Sequence, residues 1–132
     1  MGAEPYRYVV DYQEDVQRAL DALRFDVFRR GQYAGAGDGA ENPDEALDLA
    51  PAGGTRSILD IQFVSAYPDS GCASPLDADE LRRCFGTETP TVEQIEASNR
   101  FWDSIERGSA RYVVIHGRGR PEKLFFAGYS FD

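Results

Sequence analysis

An apolar stripe at helical spacing, placed directly after a strand-like segment, is the feature that most constrains the fold. Residues 16–27 repeat Val, Leu, Leu and Val every three to four positions, which indicates an amphipathic helix. Residues 6–10 alternate in the manner of a strand. Asp11 and Glu14 have the spacing of a capping box, and Arg29-Arg30-Gly31 is typical of a helix end. The chain therefore begins with a strand and a helix that must bury one face.

Caps, breaks and alternation predict the remaining elements. In chain order they are a short helix from Asn42-Pro43 to about Leu49, a strand at 59–63, a loop at 67–75, a helix from Asp77 to Gly86, a longer helix from Thr89-Pro90 to Gly108, and a hairpin of strands 112–115 and 124–131 around residues 117–121. The order β-α-α-β-α-α-β-β predicts an α+β fold, with a small, mostly antiparallel four-stranded sheet and helices packed on one face. Because no repeat divides the chain, residues 1–132 are predicted to form a single domain.

The net negative charge of the chain is confined to its middle. Residues 38–80 hold ten acids against Arg56 alone, a net charge of −9 that equals the charge of the whole chain. The flanking thirds nearly balance. Such a chain is a poor binder of nucleic acid or of an anionic membrane, since both need surplus Lys and Arg.

Two interpretations of this acidic segment remain open. A charge run is commonly a solvated face that keeps a protein in solution. The leading functional hypothesis is instead a small protein-binding module, inhibitor-like or immunity-like, that uses the acidic 38–80 surface on a basic protein partner. The residues predicted to bind that partner are four acids and one aromatic anchor, Asp44, Glu45, Asp48, Asp69 and Tyr67.

The alternative hypothesis is a small enzyme or a domain that binds a small anion. His116 is the only histidine and ends a predicted strand, so it is the one general base available near neutral pH and a weak catalytic candidate. On an uncovered sheet face, His116 could converge with Arg7, Tyr112 and Tyr129 on the ligand. A third possibility is a homo-oligomer built through the aromatic terminal strand 124–131.

No motif in the chain predicts a metal or a cofactor. Gly35, Gly37 and Ala40 match a dinucleotide fingerprint in spacing only, because they follow a helix and open no βαβ unit. One histidine with Cys72 and Cys84 cannot complete a structural zinc site. We therefore predict that the protein has no cofactor, and the sequence favours a binding protein over an enzyme.

Cysteine use and apolar run length predict the compartment. Two cysteines are too few for a secreted disulfide scaffold, and apolar runs such as 112–115 are far too short to cross a bilayer. The sequence thus predicts a cytoplasmic protein, and the excess of arginine over lysine favours a GC-rich bacterial source.

Overall fold

A five-stranded mixed sheet with helices on both faces organises the chain in the computed structural model, which describes residues 3–132. The elements are β1 Pro5–Asp11, α1 Val16–Arg30, α2 Pro43–Asp48, a 3₁₀ turn Ile58–Asp60, β2 Phe63–Val64, β3 Cys72–Pro75, α3 Ala78–Phe85, α4 Val92–Glu96, α5 Arg100–Asp103, β4 Ala110–Gly117 and β5 Arg120–Tyr129. The mixed α/β character that the sequence predicts is present, but the sheet differs from the prediction in detail.

The sheet has five strands in the order β1-β5-β4-β3-β2, so the prediction of four mostly antiparallel strands needs correction. β1 and β4 flank β5 in antiparallel pairs, whereas β2 and β3 pair in parallel with each other and β3 pairs in parallel with β4. The strand missed from the sequence is β3. Its residues follow a turn-rich stretch and end at Pro75, and such composition is typical of loops rather than strands.

Helices cover both faces of the sheet, which corrects the prediction that they pack on one. Leu124 and Phe126 of β5 point to the core beneath α1 and α2, and Phe125 and Ala127 point to a second core beneath α3, α4 and α5. A strand buried on both faces has a continuous apolar run instead of alternation. That run at 124–127 was the sequence signal for a two-sided core.

Several helix ends lie where the sequence predicts them. Gly31 ends α1 in the left-handed conformation with φ 68°, Asn42 caps α2, and Asp77 with Glu80 forms a complete capping box on α3. The N-terminus of α1 differs, because β1 continues to Asp11 and the cap is Asp15. The long helix predicted after Thr89-Pro90 is two short helices, α4 and α5.

The C-terminal hairpin of β4 and β5 is confirmed. Arg118 and Gly119 at its tip both have positive φ, 55° and 75°. A two-residue hairpin turn of this kind needs positive φ at both positions to match the twist of its strands. Strand β5 is bonded on both sides, to β1 and to β4. The backbone groups of this terminal strand are therefore used within the sheet, so a homo-oligomer through it would depend on side chains and not on strand pairing.

Candidate functional site

The residues predicted to bind a partner lie on two segments on either side of β2. Asp44, Glu45 and Asp48 belong to α2, and Tyr67 and Asp69 belong to the loop between β2 and β3. The side chain of Gln62, just before β2, donates a 3.3 Å hydrogen bond to Asp44. This bond joins α2 to the chain that enters β2, and the loop that holds Tyr67 and Asp69 leaves the other end of the same strand.

The side chain of Asp44 is exposed, and it also stabilises the fold. The side chain of Arg24 is 7% exposed. Its guanidinium donates through Nη1 to Asp44 Oδ1 at 2.9 Å and through Nη2 to the Leu59 carbonyl at 2.9 Å. These contacts hold α1, α2 and the 3₁₀ turn together. The hydrogen bond from Arg24, followed by that from Gln62, holds the pKa of Asp44 below its ordinary value. Asp44 is therefore ionised at neutral pH but already engaged.

Other acids of the 38–80 segment are also occupied. Asp60 is buried and accepts from both the amide and the hydroxyl of Thr55 at 2.7 Å, and burial raises its pKa. Asp77 caps α3, and Asp79 pairs with Arg82. Apart from Asp60 and Asp77, the acids of this segment with no ion-pair partner within residues 3–132 are Asp38, Glu41, Glu45, Asp48 and Asp69. The acidic surface is therefore smaller than the sequence predicts, and it is concentrated around α2.

Glu80 is committed to the interior rather than to the surface. It pairs with Arg111, whose buried guanidinium also donates to the carbonyls of Pro75 and Ser104. A buried guanidinium needs this number of acceptors to offset its lost hydration. The pair fixes α3 against β3 and β4.

Strand β2 is a sheet edge whose backbone is already satisfied by a side chain. Gln17 of α1 donates through Nε2 to the Gln62 carbonyl at 3.1 Å, and its Oε1 accepts from the Val64 amide at 2.7 Å. The amide group thus occupies the position that a neighbouring strand would take. Because these outward groups are bonded, recognition at this edge depends on side chains rather than on strand addition.

Two aromatic rings project from this edge. Tyr67 is 78% exposed and Phe63 is 61% exposed, the highest values among large apolar side chains in the described part of the chain. Phe63 lines a cleft of about 330 Å³ together with Gln17, Asp21 and Asp44. The sequence placed Phe63 in a strand alternating with Leu59 and Ile61, and so missed its exposure. The turn-rich residues that follow it were the signal that the strand ends there.

Tyr67 lines a second cleft, of about 350 Å³, next to the N-terminal end of α3. It lies beyond the carboxyl ends of the parallel strands β2 and β3, where crevices form in open α/β sheets. Glu80 and Arg83 also line this cleft. Each ring is therefore beside a concavity, an arrangement suited to anchoring a bound segment.

The four residues of the alternative site do not converge. Tyr112 packs on Phe126 with ring centres 6.0 Å apart, on the face covered by α1. Tyr129 packs on Trp102 on the opposite face, and Arg7 is exposed on β1 in a separate cleft that Val9 also lines. The open sheet face that would have brought these residues together does not exist, because helices cover both faces.

His116 is half-buried at the end of β4. Its amide donates to the Pro90 carbonyl at 2.8 Å, and its buried Nδ1 has no hydrogen-bond partner within residues 3–132. None of the clefts described here has His116 in its wall. In the described part of the chain, no carboxylate or thiol is hydrogen-bonded to this histidine.

Both cysteines are free and half-buried. Burial raises the pKa of Cys72, with Asp69 adding to the shift, and burial also raises the pKa of Cys84. Both thiols are therefore protonated at neutral pH and poorly nucleophilic. Over residues 3–132, no three His, Cys, Asp or Glu side chains are grouped to hold a metal ion. Within the same range no helix is both long and apolar enough to cross a bilayer.

Comparisons with protein-family models, with curated proteins and with solved structures gave no match to this chain.

Proposed function

We propose that this domain is a protein-binding module that receives a basic segment of a partner protein at the β2 edge. The observation that carries the proposal is that the two most exposed aromatic rings, Phe63 and Tyr67, belong to the same 38–80 segment as the unpaired acids, with Phe63 in the wall of the cleft that Asp44 also lines. We call this region the β2-edge surface and define it as Phe63, Tyr67, Glu45, Asp48 and Asp69.

The acidic charge and the exposed aromatic area of such a surface affect different steps of binding. Unpaired carboxylates attract a basic partner over long range and raise the association rate, an effect that salt screens. Exposed aromatic rings beside concavities supply the buried area that slows dissociation. An inhibitor-like or immunity-like role needs both properties, because the partner must be captured quickly and held.

The covered backbone of β2 adds specificity to this interaction. The Gln62 carbonyl and the Val64 amide are bonded to Gln17. These backbone groups are therefore not free to pair with an extended chain of arbitrary sequence. A partner must therefore match the rings and the acids.

Affinity capture from a lysate of the source organism at low salt tests the proposal. The surface variant carries Glu45→Gln, Asp48→Asn and Asp69→Asn, and leaves Asp44 in place because it holds Arg24. A matched control carries Glu93→Gln, Glu96→Gln and Asp103→Asn, exposed acids of α4 and α5 with the same change in charge. A third variant, Tyr67→Ala, removes one ring.

We expect one basic protein to be captured by the wild type and the control, and to be lost from the surface variant. With that protein purified, the dissociation constant should rise with salt, less steeply for the surface variant, and Tyr67→Ala should mainly raise the dissociation rate. Equal loss from the surface variant and the control would show that only net charge matters. Equal capture by all variants, or no capture by the wild type, would contradict the proposal.

A further inference from the structure

Strand β1 forms the other edge of the sheet, and its outward backbone groups are unpaired. The Ser130 amide donates to the Glu4 carbonyl at 2.9 Å, and the Tyr12 amide donates to the Glu122 carbonyl at 3.1 Å. Even-numbered residues of this strand therefore turn their backbone groups toward β5. The backbone groups of Arg7, Val9 and Asp11, the odd-numbered residues after Pro5, point away from the sheet, and no partner for them lies within residues 3–132.

This edge is unlike the β2 edge. There, Gln17 covers the outward groups, whereas β1 offers seven residues of regular strand with no covering side chain or loop. A strand of this length with open backbone groups is a template for pairing with another strand. β1 carries two devices against pairing, which are Pro5 at its start, with no amide to donate, and the charges of Arg7 and Asp11.

We infer that a second copy of this chain pairs with β1, antiparallel and centred on Val9. In that register the two copies of Val9 face each other across the two-fold axis, and Arg7 of each copy faces Asp11 of the other. The outward amides and carbonyls of these three residues meet one another, which gives about six backbone hydrogen bonds. Opposite charges directly across a strand pair stabilise it.

The register is selected by the sequence of the strand. Centring the pair on Tyr8 places Arg7 opposite Val9, and centring it on Val10 places Val9 opposite Asp11. Either shift separates the opposite charges and sets a charge against an apolar side chain. Only the Val9 register pairs charge with charge on one face, and it also places Tyr8 opposite Val10 on the other face.

The exposed side chains at the edge fit this pairing. Val9 is 52% exposed, a large fraction for an apolar residue in the middle of a strand. The Asp11 side chain is 89% exposed while bonded to Lys123, so its carboxylate is open to a second cation. The second copy would cover Val9 and supply that cation from its Arg7.

The dimer is independent of the proposed partner binding. Strands β1 and β2 are the two opposite edges of the sheet. Pairing through β1 joins two sheets into one and leaves both β2-edge surfaces free.

Sedimentation velocity over a concentration series tests the dimer. Val9→Pro removes the central amide, and the monomer tolerates it because that amide points away from the sheet. Val9→Lys is a second variant that keeps the backbone and sets two cations against each other. Phe25→Lys, at an equally exposed apolar residue of α1, is the matched control.

We expect dimers of the wild type and of Phe25→Lys, no dimer of Val9→Pro, and a dimer about fivefold or more weaker for Val9→Lys. Circular dichroism should show all four chains folded. In addition, a short thiol crosslinker should join two copies of Val9→Cys but not two copies of Arg7→Cys, with the wild type as the control for the native cysteines.

Three results would overturn the inference. They are a wild type that stays monomeric at its highest concentration, a dimer that both Val9 variants leave intact, and crosslinking of Arg7→Cys that is as efficient as that of Val9→Cys. If Val9→Pro does not fold, Val9→Lys and the crosslinking decide the question.

Discussion

The buried guanidinium of Arg24 is bonded to the exposed carboxylate of Asp44 at 2.9 Å, and this contact ties α2 to α1. Asp44→Ala should lower the free energy of unfolding by about 1–2 kcal/mol, because it leaves a buried donor with one fewer acceptor. Asp48→Ala, one turn further along α2, should change stability by no more than about 0.5 kcal/mol. Chemical denaturation of the three chains measures the difference.

The same contact sets a pH signature. The pKa of Asp44 is lowered in the folded domain, so its contribution is complete above the ordinary pKa of an aspartate and is lost as the pH falls through the lower folded pKa. The stability difference between the wild type and Asp44→Ala should therefore shrink in acid. A difference that stays constant down to the acid transition would show that the loss comes from packing and not from charge.

Asp60 should produce the opposite pH dependence. Burial raises its pKa, so between the ordinary and the raised pKa the folded domain binds more protons than the unfolded chain. Its contribution to stability therefore falls as the pH rises through that window. Asp60→Asn keeps an acceptor for Thr55 and does not titrate, so this fall should be absent from its pH profile. Parallel profiles for the two proteins would contradict the assignment.

The buried hydroxyl of Tyr6 should be dispensable for stability. It has no hydrogen-bond partner within residues 3–132, and burial followed by the charge of Asp60 raises its pKa. Tyr6→Phe should leave the free energy of unfolding unchanged or raise it by up to about 1 kcal/mol. Thr55→Val is the control, since its hydroxyl is bonded to Asp60 and Ser57, and it should lose about 1–2 kcal/mol. Equal losses in thermal unfolding would show that Tyr6 has a partner.

Removing the side chain that covers β2 should open that edge. Gln17→Ala leaves the Val64 amide and the Gln62 carbonyl unpaired, and should cost about 1–2 kcal/mol. The Val64 amide should also exchange faster with solvent, as measured by hydrogen exchange. The exposed neighbour Arg18→Ala should leave that exchange rate unchanged. If Val64 exchanges equally fast in the wild type, the covering role of Gln17 is wrong.

Part of the candidate site could be predicted from the sequence. The acidic segment and the exposure of Tyr67 follow from composition and turn residues, and both are properties of a few adjacent positions. The roles of Gln17 and Phe63 could not be predicted in this way. Gln17 meets Val64 across 47 residues of chain, and Phe63 is exposed only because β2 ends at Val64 on the edge of the sheet.

The sequence by itself determined the features whose partners lie within about four residues. The Gly31 end of α1, the capping box of Asp77 and Glu80, and the turn at Arg118 belong to this group. Only the tertiary structure decided that β5 is central, that both faces are covered and that β1 and β2 are the edges. The physical reason is that strand pairing joins distant segments, as Tyr6 joins Gly128, and local patterning carries no information on which segments meet.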